Sequence, residues 1–307
     1  MNEKVAVLMS TYNGEEFLEE QIDSILAQRN VEVELYVRDD GSSDRTVMIL
    51  RDYEKQGRLK LFEGKNCGVG NSFMELLYTL GSSCDYFAFS DQDDIWLSDK
   101  LYCAVAAIRN QKIPVLYTGN QTLTDRTGKK LGIRYKEIPS TDYHQILCGN
   151  LVSGCTMVFN RELYCLLRDE KRRPSCELLQ NRIHDVWVAM VASVTGAIFF
   201  DQESHILYRQ HERNVVGAGK KKPWSRVKEI AEKIRKPEQR CGRSWLAREI
   251  YRCFPEFICD RSRDLQVYGY YKENVKYRLK LLRNSELRQF SHETWVGLAV
   301  KVILGLF

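Results

Sequence analysis

Tyr86-Phe87-Ala88-Phe89 runs directly into Ser90-Asp91-Gln92-Asp93-Asp94-Ile95-Trp96, a short apolar segment that ends in three carboxylates within four residues. An unbroken apolar run of this length suits a strand buried on both faces, and the acidic cluster marks the turn after it. The same pattern recurs upstream. Val5 to Met9 is apolar and leads into Ser10-Thr11-Tyr12-Asn13-Gly14; Val33 to Val37 leads, after Arg38, into Asp39-Asp40-Gly41-Ser42-Ser43-Asp44. Leu59 to Phe62 precedes Asn66-Cys67-Gly68. Between these runs, Phe17, Ile22, Ile25 and Leu26, and then Val47, Leu50 and Tyr53, recur at helical spacing. Asn71 to Leu80 and Leu101 to Ile108 read as further helices, and Pro114 to Tyr117 as a strand. Strands alternating with helices imply right-handed crossovers and a mostly parallel sheet. In such sheets ligands bind beyond the carboxyl ends of the strands, where these polar turns lie.

Turn geometry and helix capping alone account for Ser42, Ser43 and Asp44. They do not account for Asp91, Asp93 and Asp94, because carboxylates this close repel and raise each other's pKa unless a cation compensates. Hard oxygen ligands around an open pocket suit Mg²⁺ or Mn²⁺, ions that in turn hold phosphates.

The chain has 307 residues, 46 Lys and Arg against 41 Asp and Glu, and a net charge of +5. Its 44% hydrophobic and 28% charged content is that of a globular protein, which excludes disordered and collagen-like classes. No run of about 18 apolar residues offers a spanning helix, and Met1-Asn2-Glu3-Lys4 is unlike a signal peptide, so a cytoplasmic location is expected. The ten cysteines contain no C-x-x-C pair and read as scattered reduced thiols. Charge is uneven: up to Val216 there are 25 Lys and Arg against 31 Asp and Glu, and from Gly217 onward 21 against 10. That shift sets a boundary near Gly217-Ala218-Gly219, giving a domain over 1–217 and a basic, mainly helical region over 218–307.

The ordered motifs V-A-V-L-M-S-T-Y-N-G, V-R-D-D-G-S-S-D and S-D-Q-D-D-I-W resemble family 2 glycosyltransferases of the GT-A fold. The resemblance continues through Ser153-Gly154-Cys155-Thr156-Met157-Val158-Phe159, His184-Asp185-Val186-Trp187, and Tyr208 to Gly217, covering about residues 4 to 217. The later motifs are most similar to bacterial rhamnosyltransferase-like members of cell-surface polysaccharide synthesis. The resemblance implies an α/β GT-A fold, a mostly parallel sheet flanked by helices, with a C-terminal helical appendage. It implies that Thr11 and Tyr12 line the base and ribose pocket, and that Asp40, or else Asp39, accepts the N3–H of uracil or thymine. Asn66 and Asn71 would contact the nucleotide or sugar edge. The Arg that the family often carries near Asn71 is missing here. Asp91 and Asp93 form the D-x-D signature, with Asp93 the expected direct metal ligand and His211 a further candidate for the metal or diphosphate site.

Glycosyl transfer of this kind needs a base for the acceptor hydroxyl, and the family's position for it falls on Asp185. Taken alone, Asp185 serves equally well as a carboxylate complementing a helix dipole. His184 stands where Glu is common; a solvated or cap-adjacent histidine and a direct role both remain open. Gly154, Cys155 and Trp187 are placed on the acceptor side, with Trp187 expected to moderate the Asp185 anion. Trp96 reads as packing, and Arg209 as a phosphate partner or an exposed strand residue. The implied activity is inverting transfer from a dTDP- or UDP-sugar, dTDP-L-rhamnose among them, to a glycan or polyprenyl-linked acceptor, with Mg²⁺ or Mn²⁺.

The basic tail, with Ile230 and Ile234, Leu279 and Leu282, and the closing segment Trp295 to Phe307, suits either an inner-leaflet membrane surface or packing on the main domain or a second copy in a homodimer. Nucleic acid is excluded by the acidic first part and the lack of a binding motif. A nucleotidyltransferase would want a cation just after the first strand, where Ser10 to Gly14 offers none. The other alternative is a catalytically degenerate sugar-nucleotide-binding or scaffold protein of a polysaccharide synthase complex, against which intact Asp40, Asp91, Asp93 and Asp185 speak.

Overall fold

In the computed structural model, which describes residues 2–181, 183–211, 242–259, 262–291 and 294–307, the first apolar run forms β1 (Glu3–Thr11). Strands β2 (Val31–Asp39) and β4 (Tyr86–Ser90) lie parallel on its two sides, and β3 (Lys60–Glu63) extends the parallel half beyond β2. The chain thus builds outward on one side of β1 and then crosses to the other, which makes the gap between β1 and β4 the switch point where α/β sheets open a ligand crevice.

Beyond β4 the parallel pattern breaks. Strand β8 (Val158–Asn160) is antiparallel to both β4 and β6 (Val115–Thr124). The long β9 (Ala197–Arg209) runs parallel to β6, and the two-residue β5 (Ile95–Trp96) closes the far edge against it. Strand β7 (Lys130–Ile133) pairs with β6 off this path. The pairing of β5 with β9 returns the chain after the acidic turn to the strand that ends at Arg209, so the turn is tethered at both ends.

Alternation along the strands distributes side chains to two cores. In β1, Ala6 and Leu8 join one cluster while Val5, Val7 and Met9 join the other; in β4, Phe87 and Phe89 divide from Tyr86 and Ala88 in the same way. Helices α1 (Leu18–Leu26), α2 (Thr46–Lys55) and α4 (Lys100–Ile108) cover one face. Helices α3 (Val69–Thr79), α6 (Arg161–Arg168) and α8 (His184–Thr195) cover the other. The short α5 (Tyr143–Cys148) and α7 (Cys176–Asn181) sit beside them.

The described part of the C-terminal region is helical, over Gly242–Cys253, Asp264–Gly269, Val275–Arg283, Ser285–Ser291 and Trp295–Ile303. Leu246, Phe254, Tyr268, Leu281 and Leu298 are fully buried in the same cluster as Phe87 and Trp187, so these helices share the main core. The boundary expected near Gly217 to Gly219, the motif residues from Glu212 to Gly217, and Ile230, Ile234 and Cys241 lie outside the described residues.

Candidate active site

The register Thr11 opposite Asp39 and Met9 opposite Ser90 puts the ends of β1, β2 and β4 in one row. The turns after β1 and β4 are locked together. Gln92 accepts the Tyr12 N–H at 2.9 Å and returns a bond from Nε2 to the Tyr12 carbonyl at 3.1 Å. This bridge explains Gly14, where a Cβ would lie 2.2 Å from Gln92 Oε1. Tyr12 itself is half exposed at 50%, leaving its ring available to a ligand, whereas Thr11 is buried and donates to Asp39 Oδ1 at 3.1 Å.

The two adjacent aspartates after β2 are both buried, and their oxygens are differently committed. Asp39 accepts from Thr11 and Ser42 hydroxyls on Oδ1 and from the Gly41 and Ser42 amides on Oδ2, at 3.0 and 2.8 Å. Its four lone-pair positions are filled. Asp40 is ion-paired to Arg38 Nη1 at 2.7 Å through Oδ1, which also takes the Cys67 amide at 2.9 Å, while Oδ2 takes, among the described residues, the Gly68 amide alone at 3.0 Å. Asp40 Oδ2 therefore has one acceptor position that no donor among the described residues uses, on a side chain that is itself buried. Asn66 is exposed in the loop after β3. Asn71 spends both amide hydrogens on the carbonyls of Cys67 and Cys176, at 3.1 and 3.2 Å, so it ties that loop to α7 and has only its carbonyl oxygen left over.

The acidic turn forms the floor. The Asp91 carbonyl accepts the Ser90 hydroxyl at 2.8 Å, but its carboxylate makes no hydrogen bond or ion pair among the described residues, and burial, then Asp93 and Asp185, push that carboxyl up to about 7. Asp93 is bonded to His211 Nε2 at 2.8 Å. Asp94 is fully buried; Oδ1 accepts the Arg209 amide at 3.1 Å and Oδ2 has no hydrogen-bond partner among the described residues, and burial with its two acidic neighbours drives its carboxyl well above the usual range. Arg209 is neither exposed nor free to meet phosphate. Its guanidinium is buried on the Asp93 and Arg126 carbonyls, at 3.0 and 2.8 Å, and on Glu20, and so clamps the turn from below. Trp96 is buried with Lys100 Nζ 3.6 Å from its ring centre, which is packing as expected; burial lowers the Lys100 ammonium to about 7.

The opposite wall is the start of α8. Asp185, in its first turn, accepts the Val186 amide at 2.6 Å, and burial raises its carboxyl to about 6. His184 is not solvated. It is 3% exposed, stacks on Phe73 at 3.9 Å, meets Phe89 edge-on at 5.0 Å, leaves both ring nitrogens without a hydrogen-bond partner among the described residues, and is held neutral with a pKa of about 3 by burial. Gly154 permits this, because a Cβ there would stand 2.6 Å from His184 Nε2. Cys155 is buried beside Asp91 and Asp94, its sulfur accepting Gln121 Nε2 at 3.1 Å. Trp187 does not belong to the acceptor side. Two residues beyond Asp185, about 200° round the helix, it points into the core and packs on Phe254 at 6.0 Å. Burial is what raises Asp185.

Oxygens of Asp91 and Asp93 with the imidazole of His211 are by type a donor set that suits Mg²⁺ or Mn²⁺, although in this arrangement only Asp93 and His211 touch and the three do not all converge. Donor atoms of Asp91, Asp94 and Cys155 do lie within 4.8 Å of one another, and the buried Asp94 Oδ2 has no hydrogen-bond partner among the described residues. The residues present fit a divalent cation. Three contributors escape motif reading: Gln92, hidden as the middle residue of the D-x-D; Lys100, whose only signal is its four-residue spacing from Trp96; and Arg134. Arg134 follows β7, is fixed to Gln121 Oε1 at 2.7 Å, and lowers the pKa of Asp185 and Cys155. It supplies a cation to a site where the sequence offered none near Asn71, and no local pattern announces it.

The sequence model of glycosyl transferase family 2 matches residues 6–164, just over half of the chain. The dTDP-rhamnosyl transferase RfbG of Shigella flexneri is 30% identical over 217 residues, 68% of this chain and 74% of that protein. A UDP-Glc:alpha-D-GlcNAc-diphosphoundecaprenol beta-1,3-glucosyltransferase of Escherichia coli, WfgD, is 29% identical over 52% of this chain and 61% of its own. Among solved structures, S. aureus TarS 1–349 superposes with a TM-score of 0.56 at 17% identity, over 99% of this chain and 81% of that chain, a likeness of fold.

Proposed function

The chain belongs to glycosyl transferase family 2 and is a glycosyltransferase of GT-A fold, and on that premise we propose that it is an inverting enzyme using a dTDP- or UDP-sugar. The first candidate donor is dTDP-L-rhamnose, and the acceptor is a lipid-linked or polysaccharide glycan of the cell surface, met at the cytoplasmic face of the membrane. The observation that carries this reading is that Asp93 and Asp185, from two different elements, both lie close enough to the buried Asp91 to raise its pKa.

In this reading the free position on Asp40 Oδ2 accepts the pyrimidine N3–H, a contact that cytosine, with no hydrogen on N3, cannot make. Tyr12 covers the nucleoside. Asp91, Asp93 and His211 would hold Mg²⁺ or Mn²⁺, which when bound would supply the positive charge that a departing diphosphate requires. Asp185 takes the proton of the acceptor hydroxyl as its oxygen attacks the anomeric carbon, and the bond from that carbon to the diphosphate oxygen breaks on the opposite side. One displacement inverts the centre and needs no enzyme nucleophile. Cys155, whose thiol is pushed up by burial and by Asp94 and Asp91, stays protonated and apart from the chemistry.

A thermal-shift screen of nucleotide sugars with and without Mn²⁺ tests the donor class. A pyrimidine diphosphate sugar at a hundred times its Kd adds about 2.7 kcal/mol and raises Tm only with the metal. Stabilisation by purine nucleotide sugars alone would overturn the reading.

A further inference from the structure

The helix Trp295–Ile303 has the sequence WVGLAVKVI, with Lys301 its only charged residue. One stripe of it is satisfied: Leu298, Ala299 and Val302 are buried in the shared core or against it. The other is not. Val296, Val300 and Ile303, with Leu304 just beyond, recur at helical spacing and are 64%, 48%, 74% and 57% exposed, and Trp295 stands beside them. A helix apolar on all sides is ordinarily enclosed by protein or by lipid. The neighbouring helix Val275–Arg283 touches it and exposes apolar residues of its own, Val275 and Leu279, one turn apart. Alongside, Lys276, Lys280 and Arg283 repeat at the same spacing, and no carboxylate pairs with any of the three among the described residues.

We propose that this two-helix face docks on an anionic lipid bilayer: the apolar strip enters the headgroup boundary, Trp295 sits at the interface, and the cation row meets lipid phosphates. The charge pattern selects this occupant. A two-fold contact between copies would turn the patch on itself and bring Lys276, Lys280 and Arg283 toward their own images, whereas an anionic surface complements them. The proposal deepens the reading of a lipid-linked acceptor and rests on it for purpose only; the surface stands on exposure, spacing and charge.

The test is co-sedimentation of the full chain with vesicles of phosphatidylcholine alone or mixed with phosphatidylglycerol, at low and high salt, with dTDP binding measured on the same samples. Expected is salt-sensitive binding to the phosphatidylglycerol vesicles and little to phosphatidylcholine. Lys276→Gln with Lys280→Gln and Arg283→Gln should weaken it by about a hundred-fold. Val296→Asp with Ile303→Asp should abolish it, while both variants keep dTDP affinity and Tm. No binding of the wild-type chain to phosphatidylglycerol vesicles overturns the proposal, as does binding that survives both sets of substitutions. A concentration-dependent dimer dissolved by Val296→Asp with Ile303→Asp overturns it too, and gives the face to a second copy. Failure to bind dTDP with vesicle binding intact would count against the donor reading alone.

Discussion

Asp185 illustrates how much of this site turns on the surroundings of single groups. Its carboxyl moves from 3.8 to about 6 because burial outweighs the Val186 amide and Arg134, which pull the other way. A base must be ionised to accept a proton, so kcat/KM should fall as pH drops through about 6, not through the usual carboxylate range. Asp185→Asn keeps the shape and removes the proton acceptor; kcat should fall by roughly 10²–10⁴ with dTDP affinity unchanged, measured by initial rates and calorimetry. A limb near 4, or turnover retained in the Asn variant, would take the base away from Asp185. At this scale the carboxylates were legible, since Asp40, Asp91, Asp93 and Asp185 all stand in ordered motifs. Trp187 was misread because the motif run His184-Asp185-Val186-Trp187 is contiguous in sequence but divergent in direction once wound into a helix.

Among the elements, α8 is positioned from behind. A methyl at Gly154 would meet His184 Nε2 at 2.6 Å, and that ring has Phe73 3.9 Å behind it, so neither can yield. Gly154→Ala should cost about 1–3 kcal/mol by overpacking and, by displacing the first turn of α8, lower kcat more than it raises KM. Trp187→Ala should instead lose about 3–5 kcal/mol of stability while leaving the acceptor KM near wild type, which a denaturant titration and steady-state kinetics together would show. An acceptor KM that rises sharply in that variant would restore the indole to the acceptor side. The parallel half of the sheet was readable because β1 and β4 carry unbroken apolar runs and β2 sets Val33, Leu35 and Val37 at alternate positions before its acidic turn. The antiparallel β8 was not, because three residues carry no period of their own and are strand only by pairing with β4 and β6.

For the molecule as a whole, the recess concentrates negative charge that folding must tolerate. Asp91 and Asp185 hold their protons to about 7 and about 6 when folded, above their unfolded values, so the folded chain binds more protons between about pH 4 and 7. Their contribution is complete below about pH 4 and is lost as pH rises through those values. The metal-free protein should therefore show Tm falling across this window, and Mn²⁺ should raise Tm more at neutral pH than at pH near 5, in melts with and without a chelator. The mass of the molecule was legible only in part: the charge shift after Val216 foretold a distinct basic region, but nothing in composition reveals that Phe254 and Tyr268 join the core of the sheet. Shared burial between distant segments has no local signature.

The central claim is that the carboxylates at the end of β4 bind a pyrimidine diphosphate through a divalent cation. Titration calorimetry of dTDP and UDP into the full chain, with Mn²⁺ and with a chelator, and into Asp93→Ala, tests it most directly. Binding that appears with Mn²⁺, vanishes with the chelator and is lost in Asp93→Ala is the predicted result; equal heats under all three conditions, or none with the metal present, would contradict it.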